Sequence, residues 1–390
     1  MNGLPRLRRI LLLAAILSWQ AVIAGDGGSD LRLDREILEL LALLETGQVD
    51  DATHFSQQLY EKYPGSRAVQ LIFADLQNSL AFRRASMDAR ESYSRQMLEI
   101  LNELKARKQH AGLTLADGAI PDNIIQAAPE TRHIIAVDLS RSRLYLLERS
   151  DADSAFRLQE DHYVSVGLGG VGKTDEGDLK TPVGIYRIDG FKNDEALPEL
   201  YGSGAFTLDF PNGLDRQSGI SGSGIWLHGM PHDQLSRPPQ TSEGCVVMRN
   251  ALVTHLLNTI DLDSTPVILA ESLSWSNPPF ETTSLDSLLE RINRHPPPLK
   301  IAGNAVSESP ETDQHTMFQE FAERQLRPQD LEIFRYPLTT PPDSTESLYR
   351  VRFLHQSTVE DEHDQAMQTQ YWRHVSGSSW ELIFESLDER

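Results

Sequence analysis

The sequence predicts a multidomain α+β protein. It has a helical N-terminal region, a mostly β middle and a small α+β unit at the C-terminus. Three observations carry this reading. Between residues 31 and 110, apolar residues recur at spacings of three and four, as on one face of a helix. From residue 133 the pattern changes to short apolar runs punctuated by glycine and proline. Beyond a Pro-, Ser-, Asn- and Thr-rich stretch at 274–312, a short helical segment is followed by four alternating runs.

The chain opens with a three-part export signal over residues 1–24. Arg6, Arg8 and Arg9 form a basic front, Ile10 to Leu17 an apolar run, and Val22-Ile23-Ala24 a small-residue cleavage site. The apolar run is short of the ~20 residues that a spanning helix needs, which predicts cleavage near Ala24 and no permanent membrane span. No cysteine follows the run, which excludes a bacterial lipoprotein. Removing this segment takes away three arginines and no acid, moving the formal charge from −21 to −24. Such a chain repels nucleic acid and anionic lipid, so neither is expected as a partner.

The helical region is assigned to 30–127. Leu33, Ile37, Leu40, Leu41 and Leu44 make one apolar face, and Thr46-Gly47-Gln48 ends that helix. A second helix runs from Asp50 to Tyr63 and stops at Pro64-Gly65. A third starts near Ser66 and carries Val69, Ile72, Phe73 and Leu76. The arrangement is tetratricopeptide-like; a plain helical hairpin accounts for it equally, because repeat arrays need about three units. Residues 85–108 read as one long charged helix.

The middle unit spans 131–272. Ile134 to Asp138 and Leu144 to Leu147 flank the polar turn Ser140-Arg141-Ser142, a β-hairpin signal. Strands are expected at Tyr163–Gly167, Gly184–Ile188, Phe206–Phe210, Ile225–His228 and Pro266–Leu269. Residues 273–312 read as a linker, with one short helix near Leu285 to Ile292 and an extended His295-Pro296-Pro297-Pro298. The C-terminal unit, 313–390, is expected to hold a helix at Met317–Gln325 and strands at 331–336, 348–356, 367–375 and 379–386. Tyr349, Val351 and Phe353 alternate with polar residues, as do Trp380, Leu382 and Phe384, which predicts one buried and one wet face.

One motif is misleading. Gly167 to Thr174 fits the phosphate-loop pattern G-x-x-x-x-G-K-[ST] after a strand. That chemistry needs a helix starting at Lys173, with its amides facing the phosphates. Asp175-Glu176-Gly177-Asp178 and Thr181-Pro182 leave no room for such a helix. A nucleotide-binding enzyme is therefore kept only as a remote alternative.

The chain has one cysteine, Cys245, seventeen residues after His228. In an exported chain it has no intramolecular disulfide partner, so it is either a reactive thiol or a small buried hydrophobe. A cysteine nucleophile needs a base, a group that orients the base, and donors for the oxyanion. His228 ends the apolar strand Ile225-Trp226-Leu227, and Gly229 brings a backbone carbonyl near its ring. Gly244 lets backbone amides approach a substrate carbonyl, and Arg237-Pro238-Pro239 makes a stiff excursion between the two ends.

Ile225-Trp226-Leu227-His228-Gly229 followed by Ser242-x-Gly244-Cys245 resembles the signature of YkuD-type L,D-transpeptidases. Gly177-Asp178-Leu179-Lys180-Thr181-Pro182-Val183-Gly184-Ile185-Tyr186 resembles the family's upstream element. The fuller string from Gly222 to Asn250 is similar to a proteobacterial subgroup whose members end in a cone-shaped α+β domain of the nuclear-transport-factor type. Residues 315–390 resemble that domain's second half.

The resemblance implies a mostly β catalytic domain and a periplasmic enzyme of cell-wall biogenesis and cell shape that needs no cofactor or metal. Its substrates would be peptidoglycan stem peptides. Cys245 would attack the carbonyl at the meso-diaminopimelate, releasing D-alanine and leaving a thioester, which a second stem's amine or water resolves. His228 would be the general base, the Gly229 carbonyl its orienter, and the Gly244 and Cys245 amides the oxyanion donors. Lys180, Arg237, Ser242 and Trp226 are candidates for substrate binding. Lys173, Lys180 and Arg237 suit stem carboxylates or are solvated loop charges, and Trp226 either lines the cleft or sits in the core. His232 and Asp233, near His228, read as surface loop rather than zinc ligands.

Two positions depart from the commoner S-H-G-C-[IV]-R: Glu243 replaces histidine and Val247 replaces arginine. A carboxylate beside Cys245 opposes thiolate formation. Family members lacking the second histidine include hydrolases, so a carboxypeptidase or amidase stands as the alternative. A non-catalytic scaffold that binds stem peptides, or envelope proteins through its flanking domains, stands as another.

Overall fold

The computed structural model describes residues 29–46, 48–78, 103, 106–107, 115–234, 237–276, 282–294, 326–337, 346–356, 365–375 and 380–388. The export segment, most of the expected 85–108 helix and the expected 317–325 helix lie outside the described residues.

Helices α1 (Ser29–Glu45), α2 (Val49–Lys62) and α3 (Arg67–Asn78) form where the apolar periodicity places them. Leu33, Ile37, Leu40 and Leu41 bury against Ala52, Leu59, Ala68, Val69 and Ile72. Thr46 ends α1 by donating its hydroxyl to the Ala42 and Leu43 carbonyls. The helical assignment to residue 127 needs correction. Ile120–Pro121 (β1) and Ile124–Gln126 (β2) are strands, because Gly118 adopts φ +73° and Pro121 carries no donor to continue a helix.

The middle unit is built on an eight-stranded sheet. Its strands are β3 (His133–Asp138), β4 (Arg143–Glu148), β5 (Arg157–Tyr163), β7 (Gly184–Lys192), β8 (Ala205–Leu208), β9 (Trp226–His228), β11 (Val246–Val247) and β12 (Pro266–Ala270), in the order β11-β9-β8-β7-β12-β3-β4-β5. β6 (Val166–Gly167) pairs in parallel with β10 (Gln240–Ser242) as a separate ribbon, β1 pairs with β13 (Trp275–Ser276), and a short helix α4 (Gly213–Gln217) follows β8. The β3–β4 hairpin turns at the expected residues, where Asp138 accepts from the Ser140 hydroxyl and the Arg141 amide.

Both faces of this sheet are covered, so β3 and β4 read as continuous apolar runs. Ile135, Val137, Leu144 and Leu146 pack under helix α5 (Asn250–Thr259) through Leu252, Val253 and Leu256. Ile134, Ala136, Tyr145 and Leu147 share the opposite core with Ile185, Ile268, Phe334, Tyr336 and Tyr371. The last three belong to the C-terminal unit. Its strands β14 (Leu331–Arg335), β15 (Glu346–Gln356), β16 (Gln365–Val375) and β17 (Trp380–Asp388) form a meander that β2 extends.

This packing overturns the expectation of a wet face on the C-terminal sheet. Tyr349, Val351, Phe353, Trp372 and Trp380 bury against Leu288 and Ile292 of helix α6 (Thr282–Arg294). Arg350 and Arg352, on the other face, are also buried, and Arg350 pairs with buried Glu332 at 3.2 Å. Polar alternation here marks a buried ion pair within the sheet rather than solvent. Helix α6 also lies within the stretch read as a linker: Leu285, Leu288, Leu289 and Ile292 give it an apolar stripe that the C-terminal sheet covers. Among the described residues no helix is long and apolar enough to cross a membrane.

Candidate active site

The site forms where β9 and β11 run side by side. Their parallel register pairs Leu227 with Val246 and His228 with Val247. Leu227 and Val246 point into the core. Period-two alternation then puts Cys245 beside Trp226, on the same face as Val247 and His228. Pairing of two short strands thus brings together residues seventeen apart.

His228 is 4% exposed, and its Nδ1 lies 2.6 Å from the Gly229 carbonyl oxygen. Hydrogen bonding there assigns the proton to Nδ1 and leaves Nε2 as a base. Burial pushes the imidazole down to about 4, against the raising effect of the Gly229 carbonyl. His228 is therefore neutral at pH 7. The Tyr201 ring packs against it in a T-shaped arrangement, with ring centres 4.8 Å apart. Gly229 has no room for a side chain: a Cβ there would lie 2.1 Å from Asn250 Oδ1.

Cys245 is half-buried, with Sγ 3.4 Å from the Gly224 carbonyl oxygen. Burial pushes the thiol up. The Trp226 backbone amide opposes this, Glu243 adds to it, and Lys173 and Arg237 pull the other way. At rest the pair is a neutral thiol beside a neutral imidazole, not an ion pair.

The turn that carries Cys245 is stapled by Ser242. Its hydroxyl donates to the Cys245 carbonyl at 2.6 Å and accepts from the Gly244 amide at 3.2 Å. The Gly244 amide, expected as an oxyanion donor, is turned to the Ser242 hydroxyl. Ser242 likewise holds the turn, and both its hydroxyl contacts are internal. Gly244 has φ +125°, and a Cβ there would lie 2.7 Å from the Lys180 carbonyl oxygen. What the structure brings to the turn from Lys180 is this carbonyl.

Arg237 donates through Nε and Nη2 to the Thr241 hydroxyl and carbonyl, at 2.7 and 2.8 Å. Its guanidinium thereby fixes the chain leading to Cys245. The Trp226 ring is half-buried, tilted against Tyr201 at 5.2 Å, with Lys192 Nζ 5.9 Å from its centre. Glu243, His232 and Asp233 are exposed. Among the described residues no cluster of three or more His, Cys, Asp or Glu could hold a metal ion.

The phosphate-loop pattern folds into something else. No helix begins at Lys173, whose ammonium is buried against Asp178 Oδ1 (2.7 Å) and the Asp175 carbonyl. The Asp178 carboxylate also accepts from the amides of Thr174, Asp175 and Lys180, which holds it well below the usual carboxylate range. A carboxylate sits where a phosphate would need to be.

Sequence reasoning missed two residues. Tyr201 lies in an acidic loop with no apolar periodicity to mark it. Asn250 opens α5, where its side chain accepts from the Ser203 and Met230 amides and donates to the Met230 carbonyl. It ties the Tyr201 loop to the His228-Gly229 turn. An asparagine at a helix start is a detectable capping signal, but here its bonds go to the site.

Residues 132–269 match the family model of the YkuD L,D-transpeptidase catalytic domain. No curated protein matches the chain. Among solved structures, the helical cell shape determining protein Pgp2 from Campylobacter jejuni is 20% identical, with 68% of this chain and 95% of that chain covered and a TM-score of 0.50. Bd1075 from Bdellovibrio bacteriovorus is also 20% identical, with 69% and 98% covered and a TM-score of 0.45. At such identity the likeness to Pgp2 is one of fold alone.

Proposed function

We propose that this chain, whose residues 132–269 are a YkuD L,D-transpeptidase catalytic domain, is an exported, cysteine-dependent enzyme acting on peptidoglycan stem peptides in the periplasm. The observation that carries the proposal is the His228–Gly229 contact beside Cys245, which presents a neutral Nε2 to the face that holds the thiol. Nε2 takes the thiol proton as Sγ attacks the carbonyl at the meso-diaminopimelate. The departing D-alanine amine takes that proton, leaving a thioester on Cys245. An amine of a second stem then forms a cross-link and restores the thiol. The Cys245 amide is the oxyanion donor; the Gly244 amide can join it only by leaving Ser242. Cell-wall biogenesis and cell shape are the cellular roles proposed, with envelope proteins as partners of the flanking units.

Two observations favour other readings. Glu243 stands exposed beside the nucleophile where the commoner pattern has histidine, which favours hydrolysis of the thioester by water. The raised thiol favours a scaffold that binds stems without reacting. Incubation of the mature protein with disaccharide-tetrapeptide, read by mass spectrometry, separates all three. Loss of D-alanine with a cross-linked dimer is the expected result, and loss without dimer shows the hydrolase. Output identical to that of a Cys245→Ala control overturns the enzymatic reading. A carbapenem is expected to add its mass to the wild type and not to that control.

A further inference from the structure

We propose that the N-terminal helical region is a working part of the active site, and that Arg107 is the positioning residue through which it acts. Arg107 is 4% exposed. Its guanidinium bonds Asp34 of α1 through Nη1 and Glu103, one helical turn away, through Nε at 3.0 Å. Both carboxylates are buried. The guanidinium lies 4.2 Å from the centre of the Tyr163 ring, close enough for a desolvated cation–π contact. The helical region thus presses a doubly paired arginine onto the last residue of β5.

Tyr163 passes the contact on. Its hydroxyl donates to the Arg237 carbonyl at 2.9 Å. From there the chain to the nucleophile is laid along residues 165–168. The Ser165 hydroxyl donates to the Pro238 carbonyl at 2.6 Å, the Val166 amide to the Pro239 carbonyl at 2.8 Å, and the Leu168 amide to the Ser242 carbonyl at 2.8 Å. Ser242 then holds Gly244 and Cys245. Tyr163 is the anchor at which this ladder begins, and Arg107 covers its ring.

The inference rests on Cys245 being the nucleophile, so its test includes a readout that needs no substrate. Tyr163→Phe keeps the ring under Arg107 and removes only the bond to Arg237. Arg107→Ala removes the cover, and Arg107→Lys keeps the charge without the planar stack. In the full mature chain, the rate of Cys245 alkylation by iodoacetamide is expected to fall about tenfold in Tyr163→Phe and Arg107→Ala, with partial recovery in Arg107→Lys. kcat on disaccharide-tetrapeptide is expected to fall with it, and KM to stay within about twofold, because the loss is of placement rather than binding. The Tyr163→Phe/Arg107→Ala double variant is expected to be no slower than the slower single, since both act through one link. Tyr163→Phe carries the test if Arg107→Ala, which leaves two carboxylates buried without their cation, does not fold. Alkylation of folded Tyr163→Phe at the wild-type rate overturns the proposal, and so does a double variant whose loss is the product of the two single losses. A wild type that alkylates at Cys245 but releases no D-alanine overturns the proposed reaction, while the alkylation series still decides the coupling.

Discussion

Replacing His228 with glutamine is expected to remove a pH dependence of stability that the wild type carries below pH 6.5. The folded imidazole titrates near 4 because burial penalises its cation, and an unfolded histidine titrates near 6.5. Between these values the unfolded chain binds a proton that the folded chain refuses, so stability falls as the pH falls. A gap of roughly 2.5 units at about 1.36 kcal/mol each is worth about 3 kcal/mol, present in full above pH 6.5 and lost by about pH 4. Carboxylates titrate over part of the same range, but they are common to wild type and His228→Gln and cancel in the difference. Urea unfolding of both proteins at pH 7.5 and pH 4.5, followed by tryptophan fluorescence, measures that difference. Because pH 4.5 lies short of the folded midpoint, the difference is expected to shift by about 2–3 kcal/mol against the wild type at the lower pH. Parallel stabilities at the two pH values would refute a neutral, buried His228. The base role would then need a different imidazole environment.

Three further substitutions probe the turn and its surroundings. Glu243→Gln removes a like charge from beside the thiol, so the thiol titration midpoint is expected to fall and alkylation at pH 7.5 to quicken severalfold; an unchanged midpoint would show that Glu243 does not act on Cys245. Gly244→Ala forces a side chain into φ +125° and to 2.7 Å from the Lys180 carbonyl oxygen. It is expected to cost about 2–4 kcal/mol in thermal or urea unfolding and to abolish Cys245 acylation. Asn250→Ala deletes the bonds to Ser203 and Met230. It is expected to cost about 1–3 kcal/mol and to lower kcat more than it raises KM, as Tyr201 loosens from His228.

The parts of this fold legible in the sequence are those whose signal is local. The turn at Ser140–Ser142, the stop at Pro64-Gly65 and the β-branched run of β3 each announce themselves within a few residues. β5 does not: Arg157-Leu158-Gln159-Glu160-Asp161-His162-Tyr163 holds two apolar residues, because it is the edge of the sheet and its burial pattern is mixed. Helix α5 was hidden by its setting, a helical stretch inside a run of strands. The buried Arg350 and Arg352 were illegible for another reason. Alternation records polarity, and polarity is shared by a solvated face and a buried ion pair. The juxtaposition of Cys245 and His228 was legible because their motif is contiguous in two pieces. Arg107, Tyr163, Tyr201 and Asn250 were not, since each acts through a contact that sequence spacing does not encode.

The electrostatics of the site keep the Cys245 thiol protonated at rest. The cations that oppose burial of the thiolate are both committed elsewhere: Lys173 to Asp178 and the Asp175 carbonyl, Arg237 to Thr241. Glu243 adds a charge of the wrong sign. In the proposed reaction the thiol therefore depends on His228 to take its proton in the same event that forms the bond to carbon. Such an arrangement lowers the idle reactivity of the cysteine, because oxidation and exchange proceed through thiolate. A single cysteine in the oxidising compartment proposed for this protein gains from that restraint. The price is a nucleophile whose rate depends on how well the turn is placed against Nε2. A dependence of that kind gives the ladder from Arg107 through Tyr163 to Ser242 something to control.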